Sequence, residues 1–466
     1  MDQDLTPSLL RRIDYGSTFR FSRLFSCFRM AISPSRLVLA LSFIVSAWLV
    51  GLILDSVAGE RVIVERRGEV VIYREWDQYR ADPQGFDEWR QRVDAAVTPE
   101  NRQGVFQSLL SIQQHLFQSM VDAAIGFRPG FDQLHPGARA DDRSVIGSIR
   151  LLTLTLPAWL WHTYPLFVAV YALILMLLWA LLGGAISRQM VLAAAVDRVT
   201  PMTEAVAFAA RRWLTFLAAP LYPLLFILVL GVVVLGLFGL LFYVPVLNIV
   251  AGLLYVLPLA LGWVMALLLV LWFAGVHLIY PAVSAQGSDA LDAMARSFSY
   301  VMSRPWRLFF YTLVALLYGA ATYLFVGLFI YLMLSLAYWG AGMFGGLSDV
   351  FQAPRFGQWP QPHPDADNTD AVTAFFIRIW TYLVIATLGA YALSYYLAAY
   401  SQIYLLLRQH TDGDDPSDVF EPQPPQPPLA SDKIEPATAP LQAPSAAVAP
   451  DSIEDVEPPV ENKPAP

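Results

Sequence analysis

Long apolar runs separated by short polar segments dominate the chain, in the spacing expected of membrane helices. The runs occupy residues 37–58, 164–186, 214–243, 249–282, 308–340 and 373–406. Each reaches the roughly 20 residues a helix needs to cross a hydrocarbon core about 30 Å thick. The pattern predicts an all-α polytopic membrane protein with about six transmembrane helices. The longest runs imply tilt, extension past the bilayer, or a break at Pro220, Pro223 or Pro258. The 249–282 run also has the length for a re-entrant pair, and 151–161 is too short to span and is expected at the membrane interface.

Between the first two runs the pattern changes. Residues 59–150 form a small α(+β) insert of their own. The alternation in R-V-I-V-E-R-R-G-E-V-V-I-Y predicts a hairpin turning near Arg67 and Gly68. Thr98 followed by Pro99 marks a cap and first-turn proline for a helix over roughly 99–125. That helix would place Val105, Leu109, Ile112, Leu116, Met120 and Ala124 on one face.

Two polar segments inside the spanning region also carry helical periodicity. In residues 287–307, Ser288 or Asp289 caps a helix that places Leu291, Met294, Ala295, Phe298 and Met302 on one face. Asp289, Asp292, Arg296, Ser299 and Ser303 fall opposite, with Asp292 and Arg296 spaced to pair. Pro305 ends this helix or begins the next, and Trp306 suits headgroup level. The prediction is an amphipathic helix lying in the interface, with Phe298 and Met302 turned inward. Residues 200–213 align with 288–301: Thr200 on Ser288, Glu204 on Asp292, Ala205 and Val206 on Ala293 and Met294. A span–interfacial helix–span unit is therefore expected twice in one orientation, over about 164–243 and 249–340, as in duplicated transporter and scaffold folds. Two independently arisen amphipathic linkers would give the same weak similarity.

An apolar span, Pro281, a Gly-Ser-Asp-Ala-Leu-Asp-Ala helix start, Arg296 with Ser297, and a basic-aromatic lead into the next span together resemble an uncharacterised bacterial family, the planctomycete-type conserved membrane proteins. More distantly, the pattern is similar to the membrane domain that accompanies some glycerophosphodiester phosphodiesterases. The resemblance covers roughly 164–340 and implies an architecture without catalytic residues, since no soluble segment here has the length of that catalytic domain.

Charge orients the spans. The polar segments after the second and fourth runs carry Arg188, Arg198, Arg211 and Arg212, and Arg296, Arg304 and Arg307. The opposite side has no basic residue over 243–248 and only Arg355 over 341–370. With the basic segment 1–36, this places both termini in the cytoplasm of a bacterial cell and residues 59–150 outside the cytoplasmic membrane. Ser56, Val57 and Ala58 resemble a signal-peptidase site, but the long basic lead and extended run favour an uncleaved anchor at 37–58. The multi-span core is expected over 151–408.

Composition sharpens the exclusions. Only 15% of residues are charged and 56% are hydrophobic, against roughly 25% charged in soluble domains. The net charge of −8 belongs to the C-terminal arm: residues 411–466 hold twelve Asp or Glu and two Lys. The remainder is slightly positive and no nucleic-acid partner is implied. With fourteen of the 33 prolines after residue 410, residues 409–466 are expected to be a disordered acidic cytoplasmic arm. P-Q-P-P-Q-P-P at 422–428 would be its docking motif for a protein partner, against a solvated arm with no fixed partner. Residues 1–410 contain no lysine, which removes P-loop and Schiff-base chemistry from the folded part. The single cysteine, Cys27, cannot form an internal disulfide and is expected to be a surface thiol.

The six histidines show no metal-ligand spacing. His277, near the cytoplasmic end of a span, and Arg378, a turn or two inside the last one, are the intramembrane polar candidates. His277 suits a neutral hydrogen-bonded role, and Arg378 suits snorkelling to headgroups or a pair with Asp370. Residues 363–370 cluster metal-capable side chains but lack the glycine and distal glutamate of a calcium hand, so a solvated acidic loop is expected. No catalytic residue, metal site or cofactor is implied. The contact candidates are Glu204, Arg211, Arg212, Trp213, Asp292, Arg296, Phe298, Arg304, Trp306 and Arg307. The expectation is a non-enzymatic membrane scaffold or accessory factor binding lipid or protein partners. The alternative is a transporter or channel for a small solute or lipid, built from the duplicated core.

Overall fold

The computed structural model describes residues 20–59, 61–67, 70–135, 141–355 and 368–421. Six helices there are long and apolar enough to cross a membrane: Pro34–Ala58, Pro165–Val196, Trp213–Tyr243, Val256–Gln286, Pro305–Ala341 and Thr369–Thr411, the first to sixth spans below. The chain is an all-α polytopic membrane protein. Pro34, Pro165 and Pro305 open their helices, where a missing amide costs no hydrogen bond. At 1.5 Å per residue the 31-residue fourth span is roughly 46 Å long, so it must tilt or project beyond the hydrocarbon.

The 214–243 run is not broken where its prolines suggested. Pro220 and Pro223 lie inside the third span without ending it. The irregularities are π-helical turns at Trp179–Gly183 and Leu230–Leu235 instead. The 249–282 run holds one span, not a re-entrant pair. A separate short helix, Leu247–Leu253, precedes a turn at Leu254 and Tyr255, and Val256–Gln286 then runs unbroken.

Residues 61–164 build a lobe with its own core of Val62, Trp76, Phe86, Ile112, Leu116, Trp159 and their neighbours. The expected hairpin is present as strands Glu65–Arg67 and Val70–Ile72, antiparallel, with Arg67 opposite Val70. The first part of the alternating run, Val62–Ile63, pairs instead with Arg102–Gln103. That pairing moves the start of the long helix from 99 to Val105, since Pro99–Asn101 is only a single tight turn leading into the strand. Thr98 is not its cap. The first helical amides, of Phe106 and Gln107, donate to the Asp55 carboxylate at 2.8 and 3.0 Å, from the last turn of the first span. The 151–161 stretch belongs to this lobe too: Leu151, Leu156, Trp159 and Leu160 are buried in its core. Asp55→Ala should cost about 1 kcal/mol by loss of the cap. Amide exchange should quicken in the first turns of Val105–Ile125 and stay unchanged in the spans.

The sixth span packs against the first, second, fourth and fifth. Its Tyr391, Leu397, Ala398 and Tyr404 lie in the main core with Ile186, Met190, Phe216, Leu278 and Tyr300. The short helix Cys27–Ala31 packs on the same span, and Cys27 is buried rather than at the surface. Burial pushes its thiol up to about 12, which makes it inert at neutral pH. The span–short helix–span order occurs twice: Met202–Arg211 joins the second and third spans, and Ala290–Ser303 joins the fourth and fifth.

Candidate functional site on the short-helix face

The helix Ala290–Ser303 starts as its sequence dictates. Asp289 is the cap, its carboxylate accepting from the Asp292 amide at 2.8 Å, and Arg296 pairs with Asp292 at 3.0 Å. Its contact with the rest of the chain uses the smaller residues. The buried side is Ala290, Ala293, Ser297, Tyr300 and Val301, while Leu291 and Met302 are 57% and 63% exposed. The helix therefore has three sides: small residues seated on the fourth span, an exposed apolar strip, and a polar strip. Small residues allow the close approach. The Ser297 hydroxyl donates to the Gly275 carbonyl, and Phe298 is half-buried against Gly275.

The helix Met202–Arg211 buries Ala205, Phe208 and Ala209. Ala205 and Ala209 occupy the positions that align with Ala293 and Ser297. Neither Thr200 nor its counterpart Ser288 is the cap: Pro201 holds that position here, aligned with Asp289, and the Thr200 carbonyl accepts from Gln189 Nε2 at 3.0 Å. Glu204 turns back to pair with Arg198 at 3.2 Å.

Between the two short helices lies a feature the sequence did not reveal, at the C-terminal end of the fourth span. Helix ends leave carbonyls without partners and favour positive charge beside them. Here both needs are met from outside. Arg188 Nη1 donates to the Ser284 carbonyl at 2.6 Å, and Arg212 Nη1 donates to the Gly287 carbonyl. The Phe420 amide donates to the Ala285 carbonyl at 2.7 Å. Arg188 Nη2 completes the arrangement by donating to the Phe420 carbonyl at 2.6 Å. The Arg188 guanidinium, 3% exposed, lies 4.5 Å from the centre of the Phe208 ring, and that of Arg212 lies 5.1 Å from the centre of the Phe420 ring. Gly287, left-handed at φ +60°, closes the helix, and a β-carbon there would come within 2.5 Å of the Phe420 ring.

The chain beyond the sixth span is thus docked at least as far as Phe420, where an unstructured arm from 409 was expected. Arg408 fixes the return, contacting Asp414 at 2.8 Å and the Asp418 carbonyl at 2.6 Å, and Tyr300 donates to Asp412. The one signal in the sequence was that Phe420 is the only aromatic residue after 410. The P-Q-P-P-Q-P-P motif at 422–428 and residues 363–367 of the acidic cluster lie outside the described residues.

The other candidates separate into groups. Arg211 and Trp213 at the start of the third span, and Arg304, Trp306 and Arg307 at the start of the fifth, are exposed. His277 lies inside the fourth span, its Nδ1 2.7 Å from the Tyr396 hydroxyl and its ring stacked at 4.7 Å on Tyr400. Arg378 is exposed, 5.8 Å from the centre of the Tyr382 ring, and no ion pair joins it to Asp370. Comparison with family models, curated proteins and solved structures gave no match to this chain.

Proposed function

We propose that this chain is a non-catalytic scaffold or accessory factor of a bacterial cytoplasmic membrane, binding lipid or protein partners through its short-helix face. Both termini and this face would lie in the cytoplasm, and the 61–164 lobe outside. The observation that carries the reading is the exposed basic-aromatic pairing at two matched points. Arg211 with Trp213, and Arg304 and Arg307 with Trp306, stand where the third and fifth spans begin. Arginine matches the anionic headgroups of a cytoplasmic leaflet and tryptophan the interfacial zone. The matched burial of Ala205 with Ala293 and of Ala209 with Ser297 supports a duplicated unit.

A transporter or channel is the second reading, favoured by the repeated span–short helix–span order and by His277, a titratable side chain at membrane depth. One experiment separates the two. The full chain and a variant with Arg211→Glu, Arg304→Glu and Arg307→Glu are purified from native membranes, and co-purifying phospholipid and protein are quantified. The scaffold reading expects bound anionic lipid or stable partners to fall severalfold in the variant. Equal recovery from both, together with solute flux through wild-type proteoliposomes, would sink it.

A further inference from the structure

We propose that the cleft between Arg188, Phe208, Arg212 and Gly287 is a peptide-recognition site for an acidic segment carrying one aromatic side chain. Its resident ligand is the chain's own 412–420 segment. The site reads two features of that ligand. The main chain is gripped on both sides, with the Phe420 amide on the Ala285 carbonyl and the Phe420 carbonyl on Arg188. The side chain is read by shape and charge: the ring lies beside Arg212 over a position where glycine leaves no β-carbon. Upstream, Asp414 and Asp418 meet Arg408, so the segment's carboxylates contribute to the same docking.

The docking is shallow. Phe420 keeps 37% of its surface exposed, and Asp412, Gly413, Asp415, Ser417 and Asp418 are exposed. A segment held by three main-chain hydrogen bonds, one part-exposed ring and carboxylates that stay at least 40% exposed keeps only a modest margin over its ordering cost. Its occupancy comes from a short covalent tether, which raises its local concentration to about the millimolar range. Such a ligand exchanges with a competitor of the same chemistry, and a partner with an aromatic residue among carboxylates would displace it. The inference stands apart from the scaffold reading, because the ligand that defines it is part of this chain.

The test uses the full chain in nanodiscs and a fluorescent decapeptide of sequence DGDDPSDVFE, followed by anisotropy. In wild type the site is occupied, and peptide binding should be weak. In Phe420→Ala, which empties the ring site, affinity should rise at least tenfold. The same peptide with alanine in place of phenylalanine should lose that gain, and adding Arg212→Gln to Phe420→Ala should lose it as well. Raising salt should weaken binding, since carboxylates contribute. Equal binding to wild type and Phe420→Ala, no binding to either, or indifference to the peptide's phenylalanine would each overturn the proposal. Matched thermal unfolding of wild type and Phe420→Ala guards against a misfolded variant.

Discussion

Glu75→Ala is expected to open the 61–164 lobe under conditions where the wild-type lobe stays closed, while the six spans remain in the membrane fraction. Glu75 is fully buried and organises three elements at once. Its Oε2 accepts from the Ile63 amide at 2.8 Å, its Oε1 accepts from the Tyr164 hydroxyl at 2.8 Å, and Arg90 approaches Oε1 at 3.6 Å. The carboxylate therefore ties the strand Val62–Ile63, the helix Phe86–Asp94 and the residue just before the second span. Alanine leaves two buried donors without an acceptor, each costing roughly 1–3 kcal/mol, so a total of about 3 kcal/mol is expected. Amide exchange across Val105–Ile125 is the measurement, and protection equal to wild type would refute the role. pH gives a second handle. Burial pushes the Glu75 carboxyl above its ordinary value of 4.5, despite the Ile63 amide and Arg90. A group raised on folding stabilises fully below its unfolded value and loses that contribution as pH rises through the folded one. Opening free energies, corrected for intrinsic exchange, should fall as pH climbs above the ordinary carboxyl range. Glu75→Gln should flatten that slope.

The spans were legible because hydropathy over some twenty residues is a summed local property that neighbours cannot reverse. What escaped prediction was decided by contacts distant in sequence. The start of the Val105–Ile125 helix depends on Asp55, far upstream, and no window around Thr98 contains it. The contact of Ala290–Ser303 with the fourth span escaped for a different reason. Periodicity weighs large apolar side chains, and Leu291 and Met302 marked only the face expected toward the membrane interface. The true contact is made by Ala293 and Ser297, whose smallness lets backbones approach and adds almost nothing to an apolar pattern. Phe420 was hidden by averaging, since one ring among 56 acidic and proline-rich residues leaves the composition of the arm unchanged. Arg188 was counted as an orienting charge, and only the fourth span's end explains why it is buried.

Gly275→Leu is expected to lift the second short helix off the fourth span. A β-carbon at Gly275 would stand 2.9 Å from Ser297 Oγ and 3.2 Å from the Phe298 ring. The rest of a leucine side chain has nowhere to go without displacing both. Overpacking of this kind costs roughly 1–3 kcal/mol, and the hydrogen bond from Ser297 to the Gly275 carbonyl is lost with it. A change of that size is an approximately ten- to hundredfold shift in the population of the lifted helix. Cysteine reactivity reads this directly. Ala293 is fully buried and Ala295 is exposed, two positions apart on one helix. In the full chain, Ala293→Cys should resist a polar maleimide and Ala295→Cys should react readily, with buried Cys27 giving the baseline. Adding Gly275→Leu should raise the Ala293→Cys rate at least tenfold and leave the Ala295→Cys rate nearly unchanged. If Ala293→Cys reacts as fast as Ala295→Cys before Gly275 is touched, the helix floats in the interface and is not seated on the span. The distinction matters for function. A helix fixed to the fourth span holds Asp292, Arg296 and the exposed Leu291–Met302 strip in one orientation, the condition for presenting them as a defined surface.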